Sequence, residues 1–458
     1  MNKYTLLLLL LNTFFISNTK SQSYNANWTD LNSRPNPGWY DQVKFGIFIH
    51  FGVYSVPAFA THDYAEWYWY NLVNDNGTTQ KWQDQHFGEH FQYQDFAPMF
   101  NCRLFNPDEW ASIFQKSGAK YVVLTSKHHE GYTLWKSDQS WSWNSVENGP
   151  GIDIVGKLTN SVKAQGLHMG LYHSLYEWFN PLYLADKKSG NPPTQNTYVK
   201  EVLLNQLRDI VLKYEPDIVW ADGEWEQYSD YWGSKEFLSW LYSDSPVKET
   251  VVVNDRWGKE TRGVDGGFYT GGDNWQPGHL VTHKWENCQT IGSSYGYNEN
   301  EPAEAYQDST ILIQEFVETV ACGGNFLLDV GPNAEGVIPN NMVDRLYDIG
   351  KFLSINGESI YGSSPWRIQN QTQSIWFTTN TTTGAIYAFS YYFPEDGVFN
   401  FNEIIGSKST IVELFGYKSK NPITIETYQP KGINITVPFV SPSDYPPFIY
   451  VFKFINAY

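Results

Sequence analysis

The sequence predicts an α/β chain, a (β/α)8-like barrel followed by a C-terminal antiparallel β-sandwich. Two observations carry that reading. From about residue 40 to 355, short continuous apolar runs alternate with well-punctuated amphipathic segments, the pattern of βα units that build a mostly parallel sheet. After about residue 360 the texture changes to short β-branched and aromatic runs separated by Gly, Pro and Asn, as in an antiparallel sandwich. A length of 458 residues suits a barrel with one accessory domain. The expected division is a signal peptide over 1–22, the barrel over 23–358 and the sandwich over 359–458.

The N-terminus reads as a secretory signal. Lys3 supplies the positive charge, and Leu6 to Leu11 with Phe14-Phe15-Ile16 the apolar stretch. That stretch is too short for a membrane span, and no later segment reaches the required length. Five glycosylation sequons begin at Asn27, Asn76, Asn370, Asn380 and Asn434. A signal with sequons implies a secretory-pathway glycoprotein, lysosomal or secreted. With only Cys102, Cys288 and Cys322 there is no disulfide framework, although one bridge is possible. The net charge of −18 excludes a nucleic-acid binder, since a phosphate backbone demands a basic face.

The strand candidates are Phe45–His50, Tyr121–Thr125, Met169–His173, Ile218–Trp220, Thr250–Asn254 and Asn325–Val330. They are continuous apolar runs rather than alternating ones, as expected of strands covered on both faces. Two further irregular strands are expected between 262 and 300, to complete eight. An open doubly wound sheet would give the same alternation. Among the helices, Asn106 caps one that opens at Pro107, carries Asp108-Glu109 in its first turn and closes at Gly118. Asp308 opens another, with Ile311, Ile313, Phe316, Val317 and Val320 at helical spacing up to Cys322. Others lie near 152–165, 198–213, 235–243 and 341–354. In the C-terminal part, 374–379, 385–390, 410–414 and 448–454 read as strands.

The residues with chemistry to offer fall at strand ends. His50 ends the first strand, with Glu66-Trp67-Tyr68 in the loop beyond. Lys127-His128-His129-Glu130-Gly131 ends the second, and Tyr172-His173-Ser174 with Glu177-Trp178 the third. The fourth runs Ile218-Val-Trp220, stops at a glycine and delivers Asp222, Glu224 and Glu226, with Trp225 among them. Asn254-Asp255-Arg256-Trp257 ends the fifth. Carboxyl ends of parallel strands form one rim in a barrel, so these groups would meet in one pocket. Buried polar groups cost free energy unless partnered, which makes packing a poor explanation for so many of them. Tryptophan suits the apolar face of a sugar ring, and paired carboxylates are the working groups of glycoside hydrolysis.

Over roughly residues 30–455 the chain resembles the α-L-fucosidases, glycoside hydrolase family 29. The matching blocks are Trp39-Tyr-Asp-Gln-Val-Lys-Phe-Gly-Ile-Phe-Ile-His-Phe-Gly52, Lys127-His-His-Glu-Gly131, the Pro216–Glu226 segment, and Pro277-Gly-His-Leu-Val-Thr-His-Lys-Trp-Glu-Asn-Cys288. The match is closer to the animal lysosomal type. By that resemblance Asp222 is the nucleophile, and His50, Glu66, Trp67, His128, His129, Tyr172, Trp220 and Arg256 hold the fucose hydroxyls. The family places its acid/base in a variable loop, where Asp273 occupies the equivalent position and Glu286 is the rival. Lys284 beside Glu286 could hold it ionised, which would make it a poor proton donor.

The resemblance implies a retaining exo-α-L-fucosidase acting by double displacement on fucosylated glycans of glycoproteins or glycolipids. That chemistry needs two carboxyl groups roughly 5–5.5 Å apart with divergent pKa values, and it predicts an acidic optimum. Neither cofactor nor metal is expected, no nucleic acid and no membrane, and a homo-oligomer is open. His86-Phe-Gly-Glu-His90 matches a zinc-peptidase pattern, but Gly88 interrupts the helix that such a site needs. A fucose-binding lectin, or a retaining glycosidase for another sugar, are the alternatives.

Overall fold

The structure, a computed structural model, describes residues 23–60, 64–427 and 431–458, so the expected signal peptide lies outside the described residues. Seven parallel strands form a curled sheet: β1 (Phe45–Ile49), β2 (Tyr121–Lys127), β3 (His168–Ser174), β4 (Ile218–Asp222), β5 (Val252–Val253), β6 (Trp285–Gln289) and β7 (Gly324–Val330). Their order is β5-β4-β3-β2-β1-β7-β6. Two irregular strands were expected between 262 and 300. One is β6, and the other shrinks to a single bridge that closes the curl. There the Phe268 N–H donates to Val253 O at 2.9 Å, and the Glu286 N–H to Tyr269 O at 2.8 Å. Glycines at 258, 263, 266, 267, 271 and 272 explain the loss, because glycine gives a strand no side chain to pack and raises its entropic cost.

Helices flank the sheet as the punctuation predicts: α1 (Pro107–Lys116), α2 (Ile154–Ala164), α3 (Leu204–Tyr214), α4 (Ser234–Ser243), α5 (Ser309–Ala321) and α6 (Asn340–Asn356). Asn106 caps α1 by accepting from the Glu109 N–H at 3.2 Å, and Asp308 caps α5 by accepting from Thr310 N–H at 2.8 Å. The period of two along each strand sorts the side chains into two cores. Phe48, Tyr121, Val123, Tyr172, Ile218, Trp220, Cys288 and Leu327 fill the lumen. Ile47, Ile49, Val122, Leu124, Leu171, Val219, Phe326 and Leu328 face the helices. By that parity Asp222 points inward with Ile218 and Trp220.

The C-terminal part forms two antiparallel sheets. Strands β8 (Ser364–Thr372), β9 (Ile375–Asn380), β10 (Ala385–Ser390), β12 (Ile411–Leu414) and β15 (Tyr450–Ile455) make one, and β11 (Val398–Phe401), β13 (Thr424–Thr427) and β14 (Ile433–Thr436) the other. Phe377, Phe399, Phe401, Ile433, Ile435, Phe452 and Phe454 share a core separate from the barrel's. The sheet carrying β8 and β9 packs on α5.

No disulfide forms. Cys102, Cys288 and Cys322 are all free and buried. Asn27 and Asn76 are exposed, while Asn370, Asn380 and Asn434 are half-buried on strands. The helix Thr78–Phe87 ends before Gly88, whose φ is +95°, so His86 and His90 do not share a helical face. Among the described residues no helix is long and apolar enough to cross a membrane.

Candidate active site

The carboxyl ends of the strands deliver their polar residues into one cavity of about 170 Å³. Its lining includes His50, Glu66, Trp67, His128, His129, Tyr172, Trp220, Asp222, Arg256 and Asp273. All eight residues expected to bind substrate and both carboxylates of the preferred pair are therefore brought together. Phe48, Tyr64, Trp225, Arg262, Cys288 and Tyr295 complete the wall. Phe48 and Cys288 were findable by strand parity, since they share a face with His50 and Glu286. Tyr64, Arg262 and Tyr295 lie on irregular segments whose direction no periodicity gives.

Asp222 sits at the centre. Tyr172 Oη donates to its Oδ2 at 2.8 Å, and Arg256 Nη1 to its Oδ1 at 2.9 Å. The second guanidinium nitrogen, Nη2, donates to Asp273 Oδ1 at 2.7 Å, so one arginine bridges both carboxylates. Burial alone would push the Asp222 carboxyl up. The Arg256 charge and hydrogen bond, with the Tyr172 hydrogen bond, outweigh it and hold the group below the usual carboxylate range. Arg256 is itself positioned by its Nε bond to Thr270 Oγ1 at 2.9 Å and by the Trp220 ring, 4.7 Å from the guanidinium carbon. Thr270 in turn donates to Asp255 Oδ1 at 2.8 Å, and Asn254 ties β5 to the Ala221 peptide with bonds of 3.0 and 2.8 Å. Of Asn254-Asp255-Arg256, only the arginine reaches the cavity.

The same division holds elsewhere. Glu224 turns to Arg262, with Nη2 to Oε1 at 2.5 Å, and Glu226 accepts from Tyr183 and Lys187. Lys127 sits beneath the rim, donating to Glu177 at 3.0 Å and Gln206 at 2.9 Å, which clamps the loops after β2 and β3. Gly131, with φ +83°, lets that loop pass Glu177, because a Cβ there would lie 2.7 Å from its Oε2.

The histidines are oriented from behind. His50 Nδ1 meets Asp329 Oδ1 at 2.7 Å and His129 Nδ1 meets Ser174 Oγ at 2.6 Å, leaving the Nε2 atoms toward the cavity. Burial, with neighbouring His128, pushes both rings well below the usual histidine range, so they are neutral. Glu66 accepts from the Gly296 N–H at 2.8 Å, and burial raises its carboxyl to about 7.

Glu286 stands apart from this cavity. It is fully buried in the lumen beneath it, where Tyr121 and Tyr40 hydroxyls donate to Oε2 at 2.6 and 2.7 Å, and Trp220 Nε1 donates to Oε1 at 2.9 Å. Lys284 does not pair with it as expected, but with Asp41 at 2.7 Å. Among the described residues no group of three or more His, Cys, Asp or Glu is poised to hold a metal.

Comparison with known proteins follows the same outline. The family model described as alpha-L-fucosidase matches residues 13–358, and that of the alpha-L-fucosidase C-terminal domain matches 369–455. A Dictyostelium discoideum alpha-L-fucosidase is 62% identical over 445 residues, covering 96% of each chain. The human tissue alpha-L-fucosidase is 44% identical over 427 residues, covering 92% of this chain and 90% of that one. A crystal structure of Thermotoga maritima alpha-fucosidase with a mechanism-based inhibitor superposes with a TM-score of 0.80 at 32% identity, covering 94% of this chain and all of that one. The chain therefore belongs to the α-L-fucosidases, glycoside hydrolase family 29, and is a glycosidase.

Proposed function

We propose that the protein is a retaining exo-α-L-fucosidase that releases terminal α-L-fucose from glycoprotein or glycolipid glycans. The observation that carries this reading is the Arg256 bridge between a buried carboxylate, Asp222, and a half-exposed one, Asp273. Asp222, held ionised, attacks the anomeric carbon, while Asp273 at the mouth protonates the departing glycosidic oxygen. As the new ester consumes the Asp222 charge, the shared guanidinium is freed for the carboxylate forming on Asp273. That ion then accepts a proton from water, the water opens the ester with a second inversion, and the Asp222 charge returns to Arg256. Glu286 is unsuited to the acid role, since its donors occupy both oxygens below the cavity floor.

Neutral His50 and His129, with Glu66 and His128, can meet the sugar hydroxyls as donors and acceptors. Phe48, Trp67 and Tyr295 give apolar wall for the 6-methyl, which has no hydroxyl to satisfy. The cavity's small volume suits one terminal sugar rather than an internal chain segment. The residues themselves supply every step, with no cofactor. Delivery through the secretory pathway, to a lysosome or outside the cell, is supported by the N-terminal signal pattern and by relatives described as tissue and plasma enzymes. The test is proton NMR of the first sugar released from an aryl α-L-fucoside. Retention gives α-fucose before mutarotation, whereas β-fucose first would contradict the mechanism.

A further inference from the structure

Beside the catalytic cavity, and sharing no residue with it, lies a cleft of about 430 Å³. It is built from the loops after β1, β2 and β3, on the same rim. Trp69, Trp143 and Phe179 form its apolar side, and Gln94, Glu130 and Asn148 its polar side. All three rings are only half-buried. Glu130 is 4% exposed, yet its Oε2 makes no hydrogen bond and faces His128 Nδ1 only at an ion-pair distance of 3.5 Å. A buried carboxylate oxygen that makes no hydrogen bond is costly, and a ligand hydroxyl would satisfy it.

A continuous row of rings joins the two cavities. Trp67 of the catalytic wall packs 5.1 Å from Trp178, which lies 6.4 Å from Phe179, and Trp69 follows at 4.6 Å and Trp143 at 6.1 Å. Beyond Trp143, Trp141 stands 83% exposed. Aromatic faces flanked by carboxylate and amide edges are what a pyranose needs, since its C–H face is apolar and its rim is all hydroxyl.

We propose that this cleft is a second sugar-binding site, which takes a pyranose residue of the glycan that remains after fucose leaves. The inference rests on the fucosidase reading and adds to it the extent of substrate recognition. The cleft anchors a distal sugar on Trp69 and Trp143, with Glu130 and Asn148 on its hydroxyls. It thereby favours branched or extended oligosaccharides over short fucosides.

Two variants test this from different directions. Trp143→Ala removes one platform, and Gln94→Trp fills the cleft from an exposed position. Steady-state kinetics would use an aryl α-L-fucoside, which is too short to reach the cleft, and an α-L-fucosyl pentasaccharide. The defucosylated tetrasaccharide would serve as competitive inhibitor. Both variants should keep the aryl fucoside kcat/KM, raise the pentasaccharide KM roughly three- to tenfold, the size of one lost aromatic contact, and weaken inhibition equally. An unchanged pentasaccharide KM in both would overturn the inference. So would an equal loss on both substrates, which would mean that the cleft only supports the fold. A wild-type enzyme that cleaves neither substrate would instead remove the fucosidase reading on which the proposal stands.

Discussion

Replacing Arg256 by glutamine keeps a polar side chain, though a shorter one, and removes the charge that Asp222 and Asp273 share. Two charge-assisted hydrogen bonds, at 2.9 and 2.7 Å, disappear. The Asp222 bond weakens as the ester forms, so only the bond to the carboxylate developing on Asp273 adds to transition-state stabilisation, at about 1.5–3 kcal/mol, or roughly one to two orders of magnitude in kcat/KM. The pH profile is the sharper readout. Burial pushes the Asp222 carboxyl up and Arg256 pulls it below the usual range. Without the arginine, burial prevails and the nucleophile protonates at higher pH. The acid limb of kcat/KM on an aryl α-L-fucoside must then move toward neutrality. Arg256→Lys retains the charge but not the fork, so it should lose rate with a smaller displacement of that limb. An acid limb that stays in place or moves to lower pH in Arg256→Gln would refute the reasoning, whatever the loss of rate.

Three other outcomes are expected. Asp273→Asn should slow hydrolysis of fucosides with poor leaving groups by about 10²–10⁴ while sparing activated aryl fucosides in the first step. Glu286→Gln should instead lower Tm with a mild effect on the same substrate comparison, and the reverse pattern would transfer the acid role to Glu286. Burial holds the Glu66 carboxyl at about 7 in the folded chain, above its unfolded value near 4.3, so the native state binds a proton that the unfolded state has released. Stability should therefore fall as pH rises from about 4.3 to 7, by roughly 3.5 kcal/mol from this group, and Glu66→Gln should flatten that part of the Tm–pH curve. Gly46→Ala would place a Cβ 2.4 Å from the Tyr121 ring, overpacking the lumen at one of the Glu286 donors and lowering Tm by about 2–6 °C. An unaltered Tm in that variant would mean that the lumen is looser than described.

Much of this was legible in the chain because strand tips announce themselves. The runs ending at His50, Lys127, Ser174 and Asp222 are continuous and apolar, and the period of two then decides which polar residue faces the lumen. What the pattern could not give was the fate of neighbours of equal chemistry. Glu224 and Glu226 follow Asp222 within four residues, and only the positions of Arg262, Tyr183 and Lys187 show what they pair with instead of lining the cavity. Lys284 differs for the same reason: it adjoins Glu286 in sequence, but Asp41, in the segment before β1, reaches it instead. The irregular segment between 262 and 300 reads as two strands, whereas a run of glycines reduces one of them to a single bridge between β5 and β6. The three free thiols follow from their burial at separate places: Cys102 in an irregular segment before α1, Cys288 on β6 and Cys322 at the end of α5.

The account turns on Asp222 as the group that forms the covalent link to the sugar. The decisive measurement is turnover of an aryl α-L-fucoside by Asp222→Gly with and without sodium azide. The variant should be inactive alone and regain activity with azide, and its product should be β-fucosyl azide, formed by a single inversion in the space the carboxylate vacates. Near-wild-type hydrolysis by the variant without azide would contradict the central assignment.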